Sequence, residues 1–176
     1  VRKQAELSLQ RNLRFTQAIN QIAQAVISSE EVHVILQATT AAIGQALQVD
    51  RAMLYELSFA QGLGKGLCEW LNPAHQDITS TLGNYPLDVF LGGVSEMVRT
   101  RQPLISQADH VNPLLVADGS GNRLHGPMQV QSLLWYPFNF AKGDFHVLVI
   151  NQIHSTRDWS DEDIGFLANV GQQVTL

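Results

Sequence analysis

The chain has 176 residues, of which 45% are hydrophobic and 15% are charged, which is enough apolar material for the core of one domain. Its formal net charge is −5 and its 11 basic residues are scattered, which argues against nucleic-acid binding. No apolar run approaches the roughly 18 residues that span a bilayer, and no signal-peptide pattern opens the chain, so we expect no membrane insertion. The single cysteine, Cys68, excludes an internal disulfide and a multi-cysteine zinc site, and a cytoplasmic location is expected.

The first residues predict a long helix over 3–28 with a narrow apolar stripe on an otherwise polar surface. The stripe residues, spaced 4-3-4, are Phe15, Ile19, Ile22 and Val26. A narrow stripe suits a partner helix, so we expect a parallel homodimer through the terminal helices, with these four residues at its interface. Residues 1–28 then form a signalling and dimerisation helix, and residues 29–176 form the globular domain. The alternative is that the stripe packs on its own sheet.

The next segments predict a helix over 30–47 and then two strands. Ser28 and Glu31 have the spacing of a capping box for this second helix. Residues 49–59 alternate like a strand that places Met53, Tyr55 and Leu57 on one side. A glycine-rich turn over 61–66 leads into a second strand at 67–71.

The middle of the chain reads as loop over 72–86, helix over 87–101, a short strand over 103–108 and an irregular excursion over 110–127. Two apolar strands, 130–140 and 145–154, flank the glycine-bearing turn "AKGD". Short connections between neighbouring strands predict an α+β domain with a central antiparallel sheet of five or six strands. We expect the terminal helices on one face, and a pocket on the other face under residues 72–127.

The last segment, "RDWSDEDIGFLANVGQQVTL", predicts a helix that begins with a capping box from Ser160 to Asp163. No stop signal follows before Leu176, and the first residue is Val1 rather than methionine. We therefore expect a piece of a longer protein, whose closing helix continues into an output domain of the same chain.

Three phrases of the sequence, "ALQVDRAMLYEL", "QVQSLLWYPF" and the closing helix, together with the order of elements, resemble the GAF domain, a relative of the PAS fold. The nearest similarity is to GAF domains of bacterial, including cyanobacterial, signalling proteins such as phytochromes and cyanobacteriochromes. The resemblance implies a non-catalytic sensory or regulatory domain of a histidine kinase or cyclic-dinucleotide enzyme. Such a domain would bind a small ligand and relay the signal through its terminal helices. The alternative is a ligand-free GAF domain that serves as a dimerisation scaffold.

Covalent attachment of a bilin is not expected, and the cofactor stays unknown. Relatives that attach a bilin carry a cysteine where this chain has Ser120-Gly121, and the phrase "LDVF" lacks the second family cysteine. Cys68 is interpreted as a small packing residue, with an unusual attachment or redox point as the alternative.

The candidate ligand-binding residues are aromatic or hydrogen-bonding side chains near the expected pocket. They are Tyr55, Trp70, Tyr85, Phe90, His110, Arg123, His125 and Trp135. Strand alternation places Trp135 and Tyr136 on opposite faces, so at most one of them faces the pocket. The six histidines lie far apart in sequence, and neither a metal site nor a catalytic arrangement is predicted.

Overall fold

The computed structural model describes residues 1–174 and contains one antiparallel sheet of six strands in the order β3-β2-β1-β6-β5-β4. The strands are β1 (Arg51–Ser58), β2 (Leu63–Leu71), β3 (Asn84–Pro86), β4 (Leu104–Gln107), β5 (Ser132–Ala141) and β6 (Asp144–Gln152). The long helices are α1 (Arg2–Ser28), α2 (Val32–Leu47) and α6 (Asp161–Gln173). A 3₁₀ turn (Leu87–Phe90), α3 (Leu91–Thr100), α4 (Pro113–Ala117) and α5 (Ser120–His125) complete the set. The α+β class and the antiparallel sheet are confirmed.

The sheet is centred on β1 and β6, which pair from Arg51 opposite Asn151 to Ser58 opposite Asp144. β6 also pairs with β5 through a tight hairpin in which Gly143 has a φ of 91°. Glycine adopts this left-handed conformation without steric cost, which explains the turn that the "AKGD" phrase predicts.

The helix-side core lies between the sheet and the long helices. We use this name for the buried cluster that includes Ile43, Leu54, Cys68, Leu134, Leu148, Phe166 and Leu167. α2 packs on β1 and β2, α6 packs on β5, and α1 lies over α2 and α6. The expected placement of the terminal helices on one side of the sheet is confirmed.

The cavity-side core lies on the opposite face, under the 3₁₀ turn and α3. We use this name for the buried cluster that includes Met53, Tyr55, Leu57, Val94, Leu133, Trp135, Phe145 and Val147. Strand alternation assigns neighbours such as Leu134 and Trp135 to different cores, as the period of two requires.

The apolar stripe of α1 packs largely within its own chain. Ile22 is 0% exposed, and the ring of Phe15 stacks on Phe166 of α6 with centroids 4.5 Å apart. Ile19 packs against the helix-side core, and Val26 is 39% exposed. The residues predicted as a dimer interface are therefore covered mainly by α2 and α6 rather than by the sheet.

The two predicted capping boxes have different outcomes. Ser160 accepts a hydrogen bond from the Asp163 N–H and Asp163 accepts one from the Ser160 N–H, so that capping box is confirmed. The Ser28–Glu31 box is wrong, because α1 continues through Ser28, whose hydroxyl donates to the Gln24 carbonyl. α2 begins after Glu31 without a side-chain cap.

Several predicted boundaries shift in the structure. β2 begins at Leu63, inside the predicted turn, and β3 lies in the predicted 72–86 loop. The predicted helix over 87–101 begins as a 3₁₀ turn, and the 110–127 excursion contains two short helices. α6 ends at Gln173, and Val174 has a non-helical backbone. The expected continuation of this helix into another domain would lie outside the described residues and stays a prediction. Among residues 1–174, none of the helices combines the length and hydropathy needed to span a bilayer.

Candidate ligand-binding site

An apolar cavity of about 90 Å³ lies on the cavity side of the sheet, where the sequence places the pocket. The sheet contributes its floor, and the segment from β3 to α5 contributes most of its cover. The main lining residues are Met53, Tyr55, Leu57, Thr81, Tyr85, Leu87, Phe90, Val94, Met97, Leu124, Met128, Trp135, Val147 and Val149.

One wall of the cavity is a connected row of aromatic rings. Phe90 meets Trp135 edge-on with centroids 5.9 Å apart, and Tyr85 meets Phe90 edge-on at 5.8 Å. Tyr55 lies 6.3 Å from Tyr85. Edge-to-face pairs of this kind stabilise one another by about 0.5–1.5 kcal/mol beyond their burial, so the wall is held in a defined shape.

The phenol groups of Tyr55 and Tyr85 both donate to the carbonyl of Thr81. Burial raises the pKa of Tyr55 well above its ordinary value, and the neighbouring Tyr85 adds to that effect. Tyr55 is therefore a neutral hydrogen-bond donor at physiological pH, and its hydroxyl ties Thr81 to the sheet.

Arg51 is a buried cation next to the cavity, with only 1% of its surface exposed. Its guanidinium donates to the Thr79 carbonyl at 2.9 Å, the Thr81 hydroxyl at 3.1 Å and the Met128 carbonyl at 3.0 Å. Thr81 and Met128 line the cavity, whereas Arg51 does not. Arg51 therefore connects two separate segments of the cavity cover to β1 from outside the lining.

Arg51 makes no ion pair within 4 Å among residues 1–174, and its Nε has no hydrogen-bond partner there. The nearby carboxylate of Glu69 instead accepts from the Thr81 N–H at 3.3 Å. Burial lowers the pKa of Arg51, and Glu69 provides the largest opposing influence. Arginine nevertheless stays protonated, because its ordinary pKa lies so far above neutral. A buried positive charge therefore borders a predominantly apolar space.

Four of the eight residues predicted to bind a ligand line this cavity: Tyr55, Tyr85, Phe90 and Trp135. Trp70 does not line the cavity, because even-numbered residues at that end of β2 face α2. Its ring lies so close to α2 that a Cβ on Gly44 of that helix would be 2.0 Å from it.

His110, Arg123 and His125 also lie away from the cavity lining. His110 and Arg123 are exposed. His125 ties the cover together, with Nε2 2.8 Å from the Ser106 hydroxyl and Nδ1 2.7 Å from the Val130 carbonyl.

The polar residues at the cavity that sequence reasoning missed are Arg51, Thr81 and the buried lining residue Asn151. A signal for Arg51 was present, since a charged residue two positions before Met53 falls on the apolar side of the same strand. Thr81 gives no such signal, because it lies in a connection with no periodicity.

Cys68 is 2% exposed and lies in the helix-side core, opposite Leu54, with its sulfur 3.4 Å from the Thr40 hydroxyl. The cavity is on the other face of the sheet. The position of Cys68 agrees with its interpretation as a packing residue.

A six-stranded antiparallel sheet with long helices on one face and a cavity under the other is the arrangement of the GAF fold. The GAF domain family model matches residues 31–176, and the chain belongs to the GAF domain family. GAF domains are sensory and regulatory domains of signalling proteins and are generally non-catalytic. A comparison with curated proteins gives no match.

Solved structures with a similar fold include the phycocyanobilin-bound GAF domain of a cyanobacterial phytochrome. That domain is 20% identical, with a TM-score of 0.74 and coverage of 90% of each chain. The chromophore-binding domain of a Stigmatella aurantiaca phytochrome is 15% identical, with a TM-score of 0.71, covering 92% of this chain and 58% of that one. The GAF domain of an Acinetobacter phosphoenolpyruvate-protein phosphotransferase is 18% identical, with a TM-score of 0.64 and coverage of 91% and 89%. At these identities the likeness establishes the fold.

Proposed function

We propose that this GAF domain is the non-catalytic sensor of a larger cytoplasmic signalling protein, a histidine kinase or a cyclic-dinucleotide enzyme, and that it binds one small molecule in the cavity. The observation that carries the proposal is the apolar cavity with its aromatic wall and, beside it, a buried cation that makes no direct ion pair within residues 1–174. Preformed apolar cavities with a few polar groups are the usual form of small-molecule sites.

The size of the cavity favours a ligand with a single ring. Engineered apolar cavities of roughly 150 Å³ accept benzene, whereas sites for drug-sized ligands run from roughly 300 to 1,000 Å³. At about 90 Å³, this cavity accommodates one small ring after a modest adjustment of its side chains. A linear tetrapyrrole is far larger, which agrees with the absence of the usual attachment cysteine.

The charge next to the cavity favours an anionic ligand. The guanidinium of Arg51 is bonded to neutral acceptors, and its Nε is unpaired within residues 1–174. A buried cation gains most from a carboxylate, because electrostatic attraction is strong where water is excluded. The proposed ligand is therefore a ring-sized carboxylic acid.

The proposed signal route runs from the cavity through β5 to the terminal helices. Trp135 lines the cavity, while Phe138 on the same strand faces the other way, where a Cβ on Gly171 of α6 would lie 3.2 Å from it. α6 in turn stacks Phe166 on Phe15 of α1. A ligand that shifts Trp135 would therefore bias the packing of both terminal helices.

We further propose that the domain works as a parallel homodimer, through the outer face of α1 rather than the covered stripe. The outer face repeats in a 4-3-4-3-4 pattern, which is the spacing of a coiled-coil seam. It consists of Leu9, Leu13, Thr16, Asn20, Ala23 and Ile27. Leu9, Leu13 and Ile27 are 70%, 56% and 79% exposed, and a polar Asn20 inside such a seam would fix the register between two copies.

The ligand proposal is tested with two ring-sized probes of opposite charge, benzoate and benzylamine, followed by the indole N–H signals in NMR spectra. The chain has three tryptophans, of which Trp135 lines the cavity and Trp70 and Trp159 pack against the helix-side core. We expect benzoate to shift the Trp135 signal in a saturable manner and to leave the other two unchanged. Benzylamine should have at least a tenfold weaker effect, roughly the consequence of 1.4 kcal/mol of unfavourable charge contact.

The variant Val149→Phe, which places a ring in the cavity, should remove the benzoate response while the circular dichroism spectrum stays folded. Equal responses to both probes would show that Arg51 does not select the charge of the ligand. The proposal that the cavity binds a small ring would then still stand. No response to either probe would support the ligand-free scaffold instead.

The dimer proposal is tested by sedimentation of the double variant Leu13→Glu/Ile27→Glu, which should give a folded monomer from a dimeric wild type. The matched control Gln17→Glu/Gln24→Glu adds two charges at exposed positions outside the seam and should stay dimeric. A monomeric wild type at tens of micromolar contradicts the proposal.

A further inference from the structure

A cluster of two histidines and an aspartate lies outside the cavity lining, where the β2–β3 connection meets the end of β6. His75 and Asp77 belong to the connection, and His154 follows β6. The two imidazole rings have centroids 4.4 Å apart, and His154 Nε2 lies 3.1 Å from Asp77 Oδ1. One ligand atom from each residue falls within 4.8 Å of the other two.

The backbone that carries His154 is anchored by Asp50. One carboxylate oxygen of the buried Asp50 accepts from the N–H groups of Ile153 at 2.6 Å and His154 at 3.1 Å. The other oxygen lies 3.8 Å from His75 Nε2 and thus faces the cluster. Asp50 is therefore a positioning residue for both imidazoles.

The backbone that carries His75 is anchored by Asn72. Its side-chain amide donates to the Val49 carbonyl at 3.1 Å, and its oxygen accepts from the Ala74 N–H at 3.0 Å. The His75 N–H donates to the Asn72 carbonyl at 3.2 Å. Because both histidines sit on tethered backbone, little main-chain ordering would be needed for them to act together.

We propose that His75, Asp77 and His154 bind a zinc ion, with water in the fourth position. Two imidazole nitrogens and one carboxylate are an established zinc donor set, with metal–ligand distances of about 2.0–2.2 Å. Ligand atoms around a tetrahedral zinc ion then lie about 3.3 Å apart, close to the 3.1 Å between His154 and Asp77, and the wider separations, within 4.8 Å, would narrow by side-chain rotation when the ion binds. Magnesium and calcium prefer oxygen ligands, so the two imidazoles select against them.

Bound zinc would tie the β2–β3 connection to the end of β6. The same connection supplies Thr81 to the cavity wall, and Arg51 already holds it at Thr79 and Thr81. A metal ion at His75 and Asp77 would add a tie nearer the start of the connection. The consequence is a slower opening of this part of the cavity cover, whether or not a ligand enters.

The test is a calorimetric titration of the tag-free chain with zinc chloride, and with magnesium chloride as a comparison. We expect one zinc ion per chain and no heat from magnesium. The double variant His75→Ala/His154→Ala should weaken zinc binding by more than tenfold, since even supporting residues of metal sites contribute about 10–100-fold. The matched variant His33→Ala/His110→Ala removes two exposed histidines elsewhere and should bind zinc as the wild type does.

Hydrogen exchange supplies an independent readout. Zinc should slow amide exchange in residues 73–82 of the wild type and have no such effect in the His75→Ala/His154→Ala variant. If that variant fails to fold, Asp77→Asn, at an exposed position, serves in its place. Zinc binding of equal affinity in the variant and the wild type, or no zinc binding by the wild type at submillimolar concentrations, overturns the proposal.

Discussion

The two faces of the sheet are packed in different ways, although neighbouring residues of the same strands build both. On the helix side, α2 approaches β2 so closely that a Cβ on Gly44 would lie 2.0 Å from the Trp70 ring. On the cavity side, large aromatic residues leave about 90 Å³ open. The contrast indicates that the helix-side core provides most of the stability, which allows the other face to keep a space that a ligand can use.

The difference follows from the elements that cover each face. The long helices α2 and α6 offer regular ridges that interlock with the strand side chains. The other face is covered by a 3₁₀ turn, short helices and connections, whose side chains cannot follow one regular pattern. Side-chain bonds such as those of Arg51 and His125 hold this cover in place.

The largest difference between the faces is expected from truncating one leucine of β1 on each side. Leu54→Ala, in the helix-side core, should lower the free energy of unfolding by about 4 kcal/mol, because the removed side chain leaves a new void in tight packing. Leu57→Ala, which lines the cavity, should cost about 2 kcal/mol, since that side chain already borders open space. Urea unfolding measures both. Equal losses would show that the two faces contribute alike.

A second comparison adds one methyl group to each of two helical glycines. Gly44→Ala should destabilise the domain by about 3 kcal/mol, because the rigid Trp70 ring must move. Gly165→Ala in α6 meets nothing within 4 Å and should stabilise by up to about 1 kcal/mol through helix propensity. Thermal unfolding of the two variants shows whether each substitution lowers or raises the stability of the domain. A tolerated Gly44→Ala would mean that the helix side is less tightly packed than described.

At alkaline pH, ionisation of Tyr55 on the cavity side should lower the free energy of unfolding. Burial raises the pKa of Tyr55, so the unfolded chain loses this proton before the folded chain does. The contribution to stability is present below about pH 10 and is lost as the pH rises above it. In a spectrophotometric titration of the three tyrosines, Tyr55→Phe should remove the last one to ionise. An unchanged last step in that variant would refute the assignment.

At acidic pH, protonation of His146 on the helix side should lower the free energy of unfolding, by less than the ionisation of Tyr55 does. Burial lowers the pKa of His146, although Glu56 and Asp144 oppose the shift, so the unfolded chain takes up the proton first. Stability should therefore fall as the pH drops below about 6.5, the ordinary value for histidine. His146→Gln should flatten this dependence in urea unfolding between pH 7 and 5, roughly the window of histidine titration. His33→Gln, at an exposed position, should leave it unchanged.

The sequence predicted much of the fold and all four rings of the aromatic wall, although the other four candidate residues do not line the cavity. Helix periodicity, the Ser160 cap and the hairpin turn at Gly143 depend on residues close in sequence, and each appears in the structure. Alternation along β5 correctly separated Trp135, which lines the cavity, from Tyr136, which packs against the helix-side core. The Ser28 cap failed because two helices compete for the residues between them, and propensity alone does not decide which helix extends.

The sequence by itself determined which residues are apolar, roughly where the long helices and the main strands lie, and which side chains of a strand share a face. It left open what covers each face. The stripe at Phe15 and Ile22 is apolar whether it meets another copy or α2 and α6, and only the packed structure assigns its partners. The tertiary structure alone also shows that Arg51 is buried beside the cavity and that His75 lies next to His154. The physical reason is that such contacts join segments far apart in the chain, so they depend on how whole surfaces fit together rather than on any local pattern.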